Sequence, residues 1–216
     1  SKQSIDAAAD FAEQSASGAS GSALSLFLKA HQLDKAGEHA QAALMLEQLT
    51  RIETNNAHVR YLLVQQYKHS DQTDRAIALL EQLAAQPGPL QHMAANDAAY
   101  LIAEHQPQRI DLAYDIAKRT LANTPQSLPL LDTIGWIEYR RGRHEPAMAY
   151  LGRVAEGLGG LPEVQYHLGA VYRAMGNEVW AGYYLQAAAQ GPADLPEVSK
   201  ARQLLGESDR VSAVSF

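Results

Sequence analysis

The chain has 216 residues, 46% of them hydrophobic and 7% aromatic, which is enough apolar material for a core and excludes a disordered tail. Eighteen Lys+Arg against 24 Asp+Glu give a net charge of −6 with no basic stripe, so nucleic acid is not an expected partner. With no cysteine there is no disulfide, thiolate metal site or cysteine nucleophile, and no run approaches the about eighteen apolar residues of a membrane helix.

Taken in chain order, Ser4 to Glu13 is a short Ala-rich helical candidate, and Ser15 to Ser22 (SASGASGS) is a flexible linker. Beyond residue 22 the chain repeats. LPEVQ begins at Leu161 and LPEVS at Leu195, 34 residues later. The pairs Gly135 and Gly169, Gly142 and Gly176, Ala42 and Ala76, and Ala147 and Ala181 also lie 34 apart. Five units follow, at about 23–56, 57–90, 91–127, 128–161 and 162–195. The third carries extra residues near Gln106-Pro107-Gln108, between its two helices. Pro196 to Leu205 is a terminal helix that covers the last apolar face, and Gly206 to Phe216 is a frayed tail.

Each unit reads as two antiparallel helices, neither able to cover its apolar face alone. Small residues at Gly135, Gly169, Ala147 and Ala181 let helices approach, while Leu151, Tyr172 and Leu185 fill the gaps. Gly142 and Gly176 fall where first helices end and a left-handed residue is favoured. Pro162 and Pro196 fall where new helices begin and no internal hydrogen bond is lost.

A 34-residue period with these positions resembles the tetratricopeptide repeat. The resemblance covers about four-fifths of the chain. It implies an all-α fold, a right-handed superhelical solenoid of antiparallel helix pairs. It also implies a concave groove lined by the first helices. The residues at the groove positions are Phe27 and His31, then Tyr61, Gln65 and Lys68, then Tyr100, then Asp132, Trp136, Tyr139 and Arg140, and finally Tyr166 and Arg173. Aromatic faces interleaved with Arg, Gln and His suit an extended partner through stacking and directed hydrogen bonds. Tyr67 and Tyr172 take core positions. Trp180, Tyr183 and Tyr184 lie on a second helix, as packing residues or, if exposed, a second interface. The paired Lys and Asn of chaperone-tail clamps are absent from the groove positions.

Chemistry has little support. No His-Glu-x-x-His pair, phosphate loop or Gly-x-Ser-x-Gly elbow occurs, so neither an enzyme, a cofactor nor a metal is expected. Residues 94–195 are similar to bacterial tetratricopeptide proteins of exopolysaccharide export and PEP-CTERM sorting systems, which implies action at the periplasm or cell envelope. The sequence lacks an initiator Met and a basic-then-apolar leader, and by itself leaves the compartment open. The expected function is a non-catalytic scaffold that holds a protein or peptide in the groove. The alternatives are polysaccharide binding on the aromatic groove, or homo-oligomerisation through the convex or terminal faces.

Overall fold

A computed structural model describes the backbone of residues 19–214 and the side chains of residues 22–206. The candidate helix from Ser4 to Glu13 lies outside the described residues. Ala- and Leu-rich stretches of good helix formers run between turn residues. They give eleven α-helices among the described residues: α1 (Ala19–Lys35), α2 (His39–Ile52), α3 (Ala57–His69), α4 (Thr73–Ala85), α5 (Gln91–His105), α6 (Ile110–Asn123), α7 (Leu128–Arg140), α8 (His144–Leu158), α9 (Pro162–Ala174), α10 (Glu178–Ala189) and α11 (Pro196–Val214). No strand occurs among them.

Helices α3, α5, α7, α9 and α11 begin at steps of 34, 37, 34 and 34 residues. The step of 37 contains a three-residue 3₁₀ turn, Pro107–Arg109, between α5 and α6. Prolines enter at first turns, Pro129 in α7 and Pro162 in α9, where the missing N–H has no intrahelical partner to lose. Asn56 caps α3 by accepting from the amides of His58 and Val59.

The same turn closes four of the first helices. Gly37, Gly142 and Gly176 have φ of 75°, 74° and 75°, and Asp71 takes the equivalent place with φ 58°. The next amide reaches back five residues each time, Glu38 to the Leu33 carbonyl and Arg143 to the Glu138 carbonyl, both at 2.9 Å. Those bonds satisfy carbonyls that the helix end would otherwise strand.

Two compact units divide the chain, residues 1–101 and 102–216. In the first, α1 packs on α2, α2 on α3 and α3 on α4. Its core includes Ala42, Leu46, Leu63, Tyr67, Ala76 and Leu80, all buried. In the second, α7 packs on α8, α9 on α10, and α11 on both α9 and α10. Leu131, Ala147, Leu151, Val154, Leu168 and Val171 form its centre. Gly135 and Gly169 lie where α7 meets α8 and α9 meets α10. A Cβ on either would stand 2.7 Å from Leu151 Cγ or Leu185 Cγ respectively.

Both ends are more helical than the sequence reading expects. Helix α1 starts at Ala19, inside the Ser/Gly/Ala segment, and α11 runs on through Gly206 to Val214. Extending an existing helix adds one bond per residue fixed. A single glycine costs only about 1 kcal/mol, and no proline follows to stop α11.

Candidate functional site

In residues 102–216, the 34-residue register puts Asp132, Tyr166 and Lys200 at matching places on α7, α9 and α11. Trp136 lies one turn beyond Asp132 and is 2% exposed. The rings of Tyr139 and His167 stack on it at 4.8 and 4.3 Å, and Tyr166 is tilted against it at 5.4 Å. Its indole N–H donates to Glu104 Oε1 at 2.6 Å. Arg140 donates to the same oxygen at 3.0 Å, and Lys200 reaches the other carboxylate oxygen at 2.5 Å. The Lys200 ammonium also stands 5.7 Å over the Tyr166 ring. Arg173 donates to the Leu204 carbonyl at 2.7 Å. His167 Nδ1 is 3.0 Å from both Asp132 carboxylate oxygens.

Burial pushes the Glu104 carboxyl up, but Lys200, the Trp136 N–H and Arg140 outweigh it and hold the group below its ordinary value. Glu104 is therefore an anion shared by three donors. Burial first, and then the Glu104 charge, push Tyr166 well above the usual phenol range. The groove reading expects Trp136 and Tyr166 to offer their rings to a partner. Instead Trp136 is covered by neighbouring rings and Tyr166 is 8% exposed, because Lys200 from α11 takes the next place in the same register. Tyr139 and Asp132 are half-buried, and Arg140 is exposed though paired.

In residues 1–101 the corresponding side chains are more open. Phe27 is 40% exposed and His31 lies one turn further along α1, also exposed. Tyr61 and Gln65, each 34 residues later on α3, are half-buried, as is Tyr100 on α5. The Tyr61 hydroxyl donates to Asp97 Oδ2 at 2.6 Å. Burial, then Asp97, push its pKa far up, so the phenol remains a neutral donor. Leu24, Leu62 and Met93 add exposed apolar surface on the same three helices.

Two further places lie outside the groove positions. Tyr67 is buried, as expected of a core position, and donates to Glu47 at 3.1 Å beneath the Arg75 guanidinium. Burial and Glu47 raise it to about 12. On α10, Trp180 and Tyr183 are 47% and 62% exposed beside Val179 at 81%, while Tyr184 packs against the core and Trp180 also stacks on Tyr172. Among the described residues, Asp34, His39 and His69 could hold a metal ion, since their donor atoms all lie within 4.8 Å of one another. Sequence reasoning passed over them because it searched for two histidines on one helix.

Helix pairs on a 34-residue period, closed by left-handed turns and joined at small residues, define a helical repeat of the tetratricopeptide type. Residues 35–95 match a tetratricopeptide repeat family model. Among solved structures, PilW, a type IV pilus biogenesis factor, is similar with a TM-score of 0.67 and 17% identity, over 92% of this chain and 90% of that one. TTC0263, a tetratricopeptide protein of Thermus thermophilus, is similar at 0.65 and 19%, over 85% and 98%. MamA from Desulfovibrio magneticus RS-1 follows at 0.62 and 14%, over 77% and 93%. At these identities the likeness establishes the fold. No curated protein sequence matches the chain. The link to exopolysaccharide export finds no support among these comparisons.

Proposed function

We infer that the chain is a non-catalytic scaffold that docks an extended protein segment on the first-helix face of residues 23–101. The observation that carries this reading is the exposed apolar and polar surface there. Phe27 and His31 on α1 stand in register with Tyr61 and Gln65 on α3, and Leu24, about one turn before Phe27, adds exposed apolar surface. Large apolar side chains held on rigid helices offer contact area with little entropy left to lose on binding. Tyr61, tied to Asp97, is a pre-set anchor, and His31 and Gln65 supply direction through hydrogen bonds. Asp132, Trp136, Tyr139, Arg140, Tyr166 and Arg173 keep a supporting part, since much of their bonding capacity is spent inside their own unit. In the groove polysaccharide is the weaker occupant, because Trp136, the indole among the groove positions, is covered. The envelope setting rests on the resemblance of residues 94–195 alone and belongs to this proposal.

A photo-crosslinking residue at position 27 tests it in cells that make the full chain. The expected result is a discrete protein adduct that disappears with Tyr61→Ala and is not formed from position 44 on α2. Equal labelling from both positions, or no change with Tyr61→Ala in a folded variant, would sink it.

A further inference from the structure

The hairpin ends of residues 1–101 gather a second set of polar groups. Asp34 is in the last turn of α1, His39 opens α2 and His69 closes α3. Chain reversal brings them to one end of the helix stack although 30 residues separate the two histidines. The His39 and His69 rings are 4.7 Å apart, and His39 Nδ1 lies 3.3 Å from Asp34 Oδ1. Behind them sits Gln66, 5% exposed. Its amide donates to Asp34 Oδ1 at 2.9 Å, and its carbonyl oxygen is 3.0 Å from His39 Nδ1. One buried carboxamide therefore fixes both the carboxylate and the imidazole.

The geometry points to a site for a zinc-class divalent cation, with Asp34 Oδ1, His39 Nδ1 and a ring nitrogen of His69 as ligands and water in the fourth place. Tetrahedral zinc with bonds of about 2.0–2.1 Å separates its ligand atoms by about 3.3 Å. The Asp34–His39 pair already has that spacing. The His69 nitrogen lies within 4.8 Å of both other donors and closes the rest by turning, which an exposed side chain in a last turn can do. Imidazole nitrogen with one carboxylate selects zinc, nickel or copper over calcium or magnesium, which take all-oxygen shells. Ligation needs the His39 tautomer with its hydrogen on Nε2, so that Nδ1 offers its lone pair to the ion. Ligation through Nδ1 gives up the His39–Gln66 hydrogen bond, and Gln66 acts as the outer partner of Asp34, whose Oδ1 its amide holds. Lys35 and Lys68 adjoin two ligands in sequence, but neighbours on a helix project about 100° apart. Since the ligands come from α1, α2 and α3, the ion would tie the first helix pair to the second.

Calorimetric titration of the chelator-treated full chain with zinc chloride decides the matter. We expect one saturable equivalent, weakened in His39→Gln and in His69→Gln by more than about tenfold, the lower end of what losing even an outer partner costs. His58→Gln, at the opposite end of α3, should leave affinity unchanged. Zinc binding that is absent, or as strong in both ligand variants as in the unaltered chain, overturns the site. Cobalt(II) gives a readout on the unaltered chain, independent of how any variant folds. An intense visible band of tetrahedral cobalt at one equivalent supports the site, and only the pale spectrum of the hydrated ion overturns it.

Discussion

At Gly135 the helices α7 and α8 are so close that an added methyl would stand 2.7 Å from Leu151 Cγ and 3.2 Å from the Ala147 carbonyl oxygen. Overpacking of this kind costs about 1–3 kcal/mol, while alanine gains about 1 kcal/mol in helix propensity. Gly135→Ala should therefore lower the unfolding free energy in urea by about 1 kcal/mol. Gly152, on α8 with nothing within 4 Å of its would-be Cβ, is the control. There Gly152→Ala should raise stability by about 0.5–1 kcal/mol. If both substitutions act in the same direction, close approach is not what glycine provides at position 135. Asp71 makes the converse case, holding φ 58° where three other turns use glycine. Asp71→Gly relieves left-handed strain of about 1–2 kcal/mol but frees the unfolded chain, so the expected gain is small, below about 1 kcal/mol.

Between elements, Glu104 at the end of α5 is the carboxylate on which α7 and α11 converge through Trp136, Arg140 and Lys200. Its pKa is held below the ordinary 4.5, so the folded state binds the proton less readily than the unfolded chain does. The stabilisation is present in full above that value and is lost as pH falls through the folded pKa. Glu104→Gln should destabilise the protein at pH 7 and do so progressively less toward pH 3. Urea unfolding of both chains at the two pH values checks this. A deficit that stays constant would show that shape, not charge, is what Glu104 contributes. The turn of three residues, Pro107–Arg109, lies in the one step of 37, so the spacing of helix starts can change within the array.

For the molecule as a whole, the decisive feature of a repeat array is how its last apolar face is covered. Helix α11 packs on α9 and α10 and buries Val198 and Ala201. Removing residues 196–216 should expose that face, raise binding of a hydrophobic dye and produce concentration-dependent association in sedimentation velocity. The same deletion removes Lys200 and Leu204, so Tyr166 and Arg173 lose their partners on α11. A truncated chain that stays monomeric and equally stable would mean that α11 is an appendage. The exposed Val179, Trp180 and Tyr183 on α10 are a separate apolar surface, and α11 does not cover them.

The sequence by itself determined the period, the helix pairs, the small residues at Gly135 and Gly169, and the left-handed ends at Gly142 and Gly176. These are local or strictly periodic requirements, and a 34-residue register states them directly. That register also says which positions correspond, as Asp132 and Tyr166 do at an offset of 34. It does not say whether a face is open. Trp136 is buried because the rings of Tyr139, Tyr166 and His167 cover it, and Glu104 and Lys200, 96 residues apart, meet beside it. His39 and His69 converge because successive hairpins end at one side. Both outcomes depend on the reach of long side chains across stacked helices, a distance that only the tertiary structure decides.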